Sequence, residues 1–347
     1  MNSDLRSLCD RVQRNCHISD ARHGTEYGLC TYLMKMREYY RWEQGLGFDD
    51  PLPKAEVSDW LSAREALWDS LREAEFEEIP VAGQCLDPFD VDAINALLEP
   101  QGLVYSAGYG AKNKPLFFLG RLERCEHPGQ VSVWVSGREL ARDLTSPAAM
   151  HQGERIFIRR ESFRRLLWEK LESWRWHRPD NALGRAFACY DFEQDLEGSL
   201  DAMVEQELAG VLLHEQGEYL VGRELGDAWN ELLMGLAQTP AELMARAVRD
   251  HWADCRVTLP ALVRRADPAS IHFYVGGVNG MRKLLFPGLL EAYEQCSEAA
   301  GWAPLGVLAR QGEAHWAALA RELLEIYQRQ GEAAAEPIKE RVEAAFL

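Results

Sequence analysis

The chain contains no C-x-x-C pair and no apolar run long enough to cross a membrane. Its eight cysteines stand singly at positions 9, 16, 30, 85, 125, 189, 255 and 296. This spacing excludes zinc ribbons and C-x-x-C redox motifs. No apolar stretch approaches the roughly 20 residues that a membrane-spanning helix requires. The sequence also lacks the phosphate-binding G-x-x-x-x-G-K-[ST] motif and the G-x-S-x-G nucleophile motif, which excludes the nucleotide-binding and hydrolase classes that they mark.

Positive charge is scarce. The 38 Lys and Arg residues stand against 55 Asp and Glu, which leaves a formal net charge of −17 on 347 residues. Because such an acidic field repels phosphate backbones, we expect no general nucleic-acid binding. The N-terminal segment MNSDLRSLCDRVQR carries charges where a signal peptide needs an apolar core. We therefore expect a cytoplasmic protein with reduced thiols and no membrane association.

Hydrophobic periodicity predicts a mainly α protein with one small antiparallel β-sheet. The β-rich runs LVYSAGYG, PLFFLGRL, QVSVWVSG and ERIFIRR, separated by turn residues, place the sheet at about residues 103–160. Helical spacing dominates elsewhere, beginning with a helix over residues 4–16 that is followed by a break at HISDARHG. A polar, turn-rich linker then divides the chain into an α+β domain, residues 1–180, and an all-helical domain, residues 181–347.

The most informative segment is SLDAMVEQELAGVLLHEQGEYLVG, residues 199–222, which predicts one helix. At about 100° per residue, Glu207, His214 and Glu218 fall on the same stripe as the apolar side chains. Ionisable groups on a stripe that faces a core must be paired, neutralised or bound to metal. The spacing therefore indicates a candidate functional helix.

Two arrangements of these three side chains are open. His214 and Glu218 lie one turn apart and are placed to chelate one ion, whereas Glu207 lies about 10.5 Å from His214 along the axis. Two ions roughly 3.5–4 Å apart, iron or another divalent metal, would be able to use all three with ligands from other helices. The alternative is a row of buried ion pairs with arginines. A zinc protease is excluded, because Glu218 replaces the second histidine of H-E-x-x-H.

The Glu-x6-His spacing of Glu207 and His214 resembles one helix of the heme-oxygenase-like dinuclear iron oxidases. That family adds a carboxylate from another helix, and a later helix with His, Asp and His at i, i+4 and i+7. The nearest segment here is RDHWADC, in which the resemblance implies Asp250, His251 and Asp254 as candidate further ligands. This segment lacks the second histidine and has a different internal spacing, so the resemblance covers a single helix.

A second group of reactive side chains lies in CHISDARH. Cys16, His17, Asp20 and His23 fall within eight residues at a predicted helix entry. Such a set is suited to metal binding or to a Cys–His nucleophile pair, and a helix N-terminus lowers the pKa of a thiol. The simpler interpretation is that Ser19 or Asp20 caps the helix and that Arg22 and His23 are solvated.

The helix that follows carries Arg37, Glu38 and Arg41. Arg37 and Arg41 lie one turn apart and are placed to form a fork around a carboxylate or a phosphate. The alternative is an intrahelical ion pair among Lys35, a buried Glu38 and Arg41.

A basic patch stands out in the run IFIRRESFRRLLWEKLESWRWHR. Its arginines Arg159, Arg160, Arg164 and Arg165 predict a site for an anionic ligand, which the tryptophans of the run would help to hold by stacking. The alternative is that they bridge acidic faces of neighbouring helices, such as EAEFEE at 73–78.

The segments CHISDARHGTEYGLCTYLMKMREYYRWE and LLHEQGEYLVG together resemble a conserved bacterial family of unassigned function, described by an N-terminal and a C-terminal region. The resemblance extends over nearly the whole chain and implies that a two-region layout is typical. It implies no activity and assigns no catalytic residue.

Three hypotheses for function follow. The first is a metal-dependent enzyme centred on Glu207, His214 and Glu218. The second is a non-catalytic interaction or assembly protein, whose acidic surface and 11 tryptophans bind a protein partner or a second copy of the chain. The third is an anion-binding sensor that uses the arginines of residues 159–165.

Overall fold

The structure is a computed structural model that describes residues 3–127, 131–297, 299 and 301–347, and it divides into two compact units. The N-terminal unit consists of the stretches Met1–Gly110, Lys114–Ala148 and Phe157–Trp168. The C-terminal unit consists of Ala111–Asn113, Ala149–Ile156 and Glu169–Leu347.

The first part of the chain is mixed helix and strand. Its helices are α1 (Ser3–His23), α2 (Leu29–Gln44), α3 (Lys54–Leu71), α4 (Val91–Leu98) and α5 (Arg160–His177). Strands β1 (Ile79–Val81) and β2 (Gln84–Leu86) form an antiparallel pair. The remaining strands are β3 (Leu103–Tyr109), β4 (Pro115–Glu126), β5 (Ser132–Arg142), β6 (Ala149–Gln152) and β7 (Arg155–Arg159).

The last five strands form one mixed sheet in the order β3-β4-β5-β7-β6. Strands β3 and β4 pair antiparallel with Tyr105 opposite Leu119, and β4 pairs antiparallel with β5. These pairings match the predicted sheet in position. Gln130, the first residue of the predicted strand QVSVWVSG, lies outside the described residues.

Helix α1 packs on β4. The Cys16 thiol donates to the carbonyl oxygen of Phe117 at 3.3 Å, and the Ser19 hydroxyl donates to the carbonyl oxygen of Pro115 at 2.5 Å. Both side chains are fully buried. These hydrogen bonds anchor the helix, because a buried polar group left unpaired costs about 1–3 kcal/mol.

The predicted break at HISDARHG is wrong, because α1 continues without interruption to His23. The segment contains no Gly or Pro before Gly24, so nothing in the backbone ends the helix earlier. Ser19 and Asp20 are buried within this helix and do not cap the start of another one. Polar residues that suggest a helix cap in the sequence are therefore the buried face of a continuous helix.

The second part of the chain is all helical. Its helices are α6 (Ala182–Phe187), α7 (Leu196–Leu225), α8 (Asp227–Gly235), α9 (Pro240–Ala253), α10 (Leu259–Arg265), α11 (Pro268–Gly277), α12 (Gly280–Leu285), α13 (Pro287–Glu294), α14 (Ala303–Gln330) and α15 (Ala335–Glu343). A π-helical turn, Asp254–Thr258, joins α9 to α10.

Large aromatic side chains fill the core of this helical part. Trp229, Trp252 and Trp316 are 2%, 1% and 0% exposed. Each removes roughly 200 Å² of surface from water, worth about 5 kcal/mol at ~25 cal/mol/Å² before the entropy of ordering is subtracted. The high tryptophan content therefore has a packing role here.

The predicted fold class, mainly α with an α+β N-terminal region and an all-α C-terminal region, is confirmed. Among the described residues, no helix combines the length and the apolar character that crossing a bilayer requires.

Candidate metal centre

Helix α7 supplies one side of a polar cluster in the C-terminal unit. It begins at Asp195, whose side chain accepts a hydrogen bond from the Gly198 amide at 2.8 Å, as an N-cap residue does. The helix extends beyond the predicted residues 199–222 at both ends. His214 and Glu218 lie one turn apart on it and face helix α9.

A glycine lets α7 and α9 come close together. A Cβ atom placed on Gly217 would lie 2.7 Å from the backbone oxygen of Ala253, so no larger residue fits without a shift of the helices. The contact brings His214 and Glu218 of α7 opposite Asp250 of α9. It also brings them opposite the π-helical turn, a rare element that often occurs at functional sites.

Asp254, the first residue of the π-helical turn, orients His214. Its Oδ1 lies 2.8 Å from His214 Nδ1, while Oδ2 accepts a hydrogen bond from the Tyr274 hydroxyl at 2.9 Å. The Arg282 guanidinium donates to the same Oδ2. The Asp254 carboxylate is fully buried, and these three partners fix both the carboxylate and the ring that it contacts.

The other ring nitrogen of His214 faces two further carboxylates. His214 Nε2 lies 3.3 Å from Glu218 Oε1. Arg249 lies 2.8 Å from Glu218 and 3.1 Å from Asp250, so its guanidinium bridges the two. Ligand atoms of His214, Glu218 and Asp250 all lie within 4.8 Å of one another. We call these three residues the triad.

The triad is reachable from solvent, while its supports are buried. The side chains of His214, Glu218 and Asp250 are 23%, 14% and 19% exposed, whereas that of Asp254 is 0% exposed. An ion is able to reach such a site without the helices separating.

The charges of the cluster are strongly coupled. Burial disfavours the imidazolium, but Asp254 and Glu218 outweigh it and hold the pKa of His214 well above its usual value. Burial also opposes ionisation of Asp254, yet Arg282 and His214 hold its pKa well below the usual range. Burial and the neighbouring Glu218 raise the pKa of Glu215 to about 8. Burial and the nearby Glu218 also raise the pKa of Asp250 above its usual value. The cluster therefore combines the ionised Glu218 and Asp254 with the imidazolium of His214 and the guanidinium groups of Arg249 and Arg282.

This geometry matches the second-sphere support of metal-binding histidines. In such sites one ring nitrogen donates to a carboxylate, which fixes the tautomer and leaves the other nitrogen for the ion. Asp254 has that position relative to Nδ1, and the Nε2 side of His214 is where Glu218 and Asp250 gather.

Glu207 does not join the cluster. Its Oε1 accepts a hydrogen bond from the Ser270 hydroxyl at 3.1 Å, near the start of α11. Burial, followed by the nearby Asp267, raises the pKa of Glu207 to about 7. The structure thus separates Glu207 from His214 and Glu218.

His251 also lies apart from the triad. Its Nε2 hydrogen-bonds to the carbonyl oxygen of Arg282 at 2.8 Å, and its ring stacks on Trp316 and meets the edge of Phe286. Burial and the charge of Arg282 lower the pKa of His251 to about 3. His251 is a neutral ring within the apolar core.

Sequence reasoning named Asp250 only through the resemblance of RDHWADC, and it missed Arg249, Tyr274 and Arg282 as partners. The spacing of Asp250 and Asp254, one turn apart, contained a usable signal, since it places two carboxylates on one face of a helix. No sequence signal points to Tyr274 or Arg282, because α11 and α12 bring them to the site from separate parts of the chain.

The CHISDARH residues do not share one site. Cys16 is fully buried on the sheet, and burial raises the pKa of its thiol well above the usual value, which disfavours a nucleophilic role. His17 contacts Arg64 at 3.1 Å and accepts a hydrogen bond from Trp68 at 3.2 Å. Burial and Arg64 lower the pKa of His17 to about 3.

The polar partners of Asp20 and His23 differ from each other and from those of Cys16 and His17. Asp20 is fully buried, lies 2.8 Å from Lys114 Nζ and accepts a hydrogen bond from the Leu144 amide at 2.9 Å. His23 Nδ1 lies 2.6 Å from Glu26. The side chains of this segment therefore support the fold in separate places.

Arg37 and Arg41 lie on either side of Glu38. Arg37 Nε is 2.7 Å and Arg41 Nε is 3.6 Å from Glu38 Oε1. Arg41 also donates through Nη1 to the carbonyl oxygens of Gly47 at 2.6 Å and Asp50 at 2.8 Å, which holds the loop after α2.

The four arginines of the basic patch lie in different surroundings. Arg159 is 1% exposed and donates from Nε and Nη2 to Glu139 at 2.8 Å each, a bidentate pair. Arg160 lies 3.3 Å from Glu123. Arg164 and Arg165 instead line a small cavity beside α2.

Comparison with known protein families gives two matches, which together extend over nearly the whole chain. Residues 7–159 match the N-terminal domain, and residues 164–345 the C-terminal domain, of the family of unknown function DUF6866. We found no significant match among curated proteins or among solved structures. The partial resemblance to heme-oxygenase-like iron oxidases receives no support from these comparisons. The two matches instead bear out the resemblance to a two-region family of unassigned function, and the chain belongs to the DUF6866 family.

Proposed function

We propose that the C-terminal unit is a metal-dependent enzyme whose divalent ion is bound by His214, Glu218 and Asp250. The observation that carries the proposal is the convergence of their three ligand atoms within 4.8 Å, with Asp254 holding the opposite nitrogen of the histidine. This arrangement uses one ion, in place of the two-ion site that included Glu207.

The charge balance of the cluster suits a divalent cation. Ligation through Nε2 requires neutral imidazole, so binding releases the proton of His214. The ion also competes with Arg249 for Glu218 and Asp250, and binding would displace the partly exposed Arg249 guanidinium from the cluster. The binding site would lose one proton and one neighbouring guanidinium and gain a doubly charged ion, so the charge at the site would stay the same.

Two carboxylates and one imidazole favour Mn²⁺, Fe²⁺ or Zn²⁺ over soft cations. Three protein ligands leave coordination positions for water and substrate, as catalytic sites require. The ion would supply Lewis-acid activation or a bound hydroxide at neutral pH.

Metal binding tests the proposal directly. We expect purified protein to bind Mn²⁺ or Zn²⁺ with one-to-one stoichiometry by titration calorimetry and elemental analysis. The variants His214→Ala and Asp250→Asn should lose this binding, whereas Glu207→Gln, which changes a buried carboxylate on the same helix, should retain it. Metal-loaded protein is then assayed on simple ester, amide and phosphoester substrates against His214→Ala.

The variant Arg249→Met distinguishes between two interpretations of the cluster, a metal site and a network of ion pairs. Removal of the competing guanidinium should tighten metal binding by about tenfold, equal to about 1.4 kcal/mol, and affinity should rise with pH as His214 loses its proton. If neither the parent nor Arg249→Met binds metal, and the variant only loses stability, the cluster is an ion-pair network and the proposal is wrong.

A further inference from the structure

A small cavity in the N-terminal unit is lined by an excess of arginines. It has a volume of about 110 Å³ and lies between α2, the loop after it, the end of β5 and the start of α5. The charged side chains that line it are Arg41, Arg142, Arg164, Arg165, Glu38 and Glu161. Four guanidinium groups against two carboxylates leave a formal excess of two positive charges.

Arg142 is the most informative of these residues. Its side chain is 1% exposed, and its buried Nε and Nη1 atoms have no hydrogen-bond partner. Within the described part of the chain, no carboxylate forms an ion pair with it. The guanidinium lies over the rings of Trp42 and Tyr39, 4.8 Å and 5.2 Å from their centroids. Stacking positions the cation but leaves its in-plane donors unused.

Arg41 and Arg164 complete the wall of the cavity. The Nη1 of Arg41 is held by the carbonyl oxygens of Gly47 and Asp50, while its buried Nε has no hydrogen-bond partner. The guanidinium of Arg164 lies over the Phe48 ring, 5.2 Å from its centroid. Aromatic and backbone contacts therefore fix the arginines in place before any ligand arrives, which lowers the entropic cost of binding.

A larger cavity of about 650 Å³ lies alongside and shares Arg41, Trp42, Leu46 and Glu161 with the small one. Its lining combines the aromatic Tyr39 and Trp42 with charged side chains of both signs, among them Asp10, Glu43, Arg64, Arg138 and Glu139. The small cavity has space for about three or four water molecules, or for one compact oxyanion, at ~30 Å³ per water. The larger cavity has space for an organic group attached to that anion.

We propose that these adjoining cavities bind a small phosphate monoester, with its phosphate among Arg41, Arg142 and Arg164 and its organic part beside Trp42. The unused Nε–H and Nη1–H donors of Arg142 point along different edges of its guanidinium, so the phosphate would accept from one of them and from the neighbouring arginines Arg41 and Arg164. A phosphate dianion matches the excess of two positive charges better than a carboxylate, which carries one. The site is independent of the triad, so its test does not depend on metal binding.

Titration calorimetry with inorganic phosphate and phenyl phosphate tests this proposal on the full-length protein, at constant ionic strength set with potassium chloride. We expect both to bind, with phenyl phosphate the tighter. Arg142→Met and Arg164→Gln should each weaken binding by at least about tenfold. Arg160→Gln, which removes the same charge beside Glu123 and outside the cavity, should change affinity by less than about twofold.

Arg164→Gln alone decides the test if Arg142→Met does not fold, because Arg164 is partly exposed. Benzoate serves as the carboxylate counterpart of phenyl phosphate. The proposal is overturned if neither phosphate compound binds, if the arginine variants bind as tightly as the parent, or if benzoate binds better than phenyl phosphate.

Discussion

At the residue scale, two buried carboxyl groups of α7, Glu207 and Glu218, differ in pKa because their hydrogen-bonding and charged partners differ. Glu218 has Arg249 at 2.8 Å and His214 at 3.3 Å, which together outweigh burial and keep its pKa well below the usual value. Glu207 instead accepts a hydrogen bond from the neutral Ser270 hydroxyl. Burial therefore dominates at Glu207 and raises its pKa to about 7.

The raised pKa of Glu207 predicts a stability that falls as pH rises. Between the unfolded value of about 4.3 and the folded value of about 7, the folded state binds more protons than the unfolded state. Ionisation of Glu207 then costs up to about 3 kcal/mol above pH 7. Glu207→Gln keeps the acceptor for Ser270 and should raise the free energy of unfolding at pH 8 but not at pH 4.

Urea unfolding of the parent and of Glu207→Gln at the two pH values checks this expectation. Asp201→Asn, an exposed change on the same helix, controls for the removal of one negative charge. Equal stabilisation by Glu207→Gln at both pH values would show that its carboxyl group has an ordinary pKa.

At the element scale, the distance between α7 and α9 depends on Gly217. Glycine costs about 1 kcal/mol relative to alanine in a helix interior. Beyond its first turn, which holds Gly198, α7 contains three glycines, Gly210, Gly217 and Gly222. A Cβ atom at Gly210 or Gly222 meets nothing within 4 Å, whereas at Gly217 it meets the backbone of Ala253. Among these three glycines, only Gly217 is required by the close packing of α7 against α9.

We therefore expect opposite effects from two alanine substitutions on one helix. Gly222→Ala should stabilise the protein by up to about 1 kcal/mol through helix propensity. Gly217→Ala should destabilise it by about 1–3 kcal/mol, because the methyl group forces the helices apart. It should also weaken binding of Mn²⁺, since His214 and Asp250 sit on opposite sides of the contact.

Thermal unfolding and metal titration of both variants measure these effects. A Gly217→Ala protein as stable as Gly222→Ala, with unchanged metal affinity, would mean that the two helices adjust without cost.

At the scale of the whole molecule, each compact unit has its own core and its own candidate site. In the C-terminal unit, Trp229, Trp252 and Trp316 pack in one buried cluster, and the triad lies between α7 and α9. In the N-terminal unit, α1 packs on β4, and the arginine-lined cavity lies beside α2 and α5. The two matched family domains correspond to these two regions of the sequence.

Because the two candidate sites lie in different units, we expect each ligand to slow hydrogen exchange in a different set of residues. With Mn²⁺ at ten times its dissociation constant, we expect about tenfold slower exchange in residues 196–225 and 240–258. With phenyl phosphate at the same ratio, the slower exchange should appear in residues 29–53 and 160–177. Mass spectrometry of peptic fragments measures both, and protection of the α7–α9 region by phenyl phosphate would contradict the assignment.

The sequence predicted the long helix at 199–222 and the strands near 103–160 because their periodicities are local and regular. It misjudged CHISDARHG, since a polar residue that ends a helix and one that is buried inside it look alike until their partners are known. Asp20 is the clearest example, because the partner that makes it an interior residue, Lys114, lies just before β4 and 94 residues further along the chain.

The sequence by itself determined the fold class, the helix that carries His214 and Glu218, and the acidic charge that disfavours nucleic acid. Each follows from composition or from periodicity along neighbouring residues. Only the tertiary structure decided that Asp250 and Asp254 join His214 while Glu207 does not, and that Arg142 meets Arg41 and Arg164 around one cavity. These groupings depend on contacts between helices and strands distant in sequence, which local spacing does not encode.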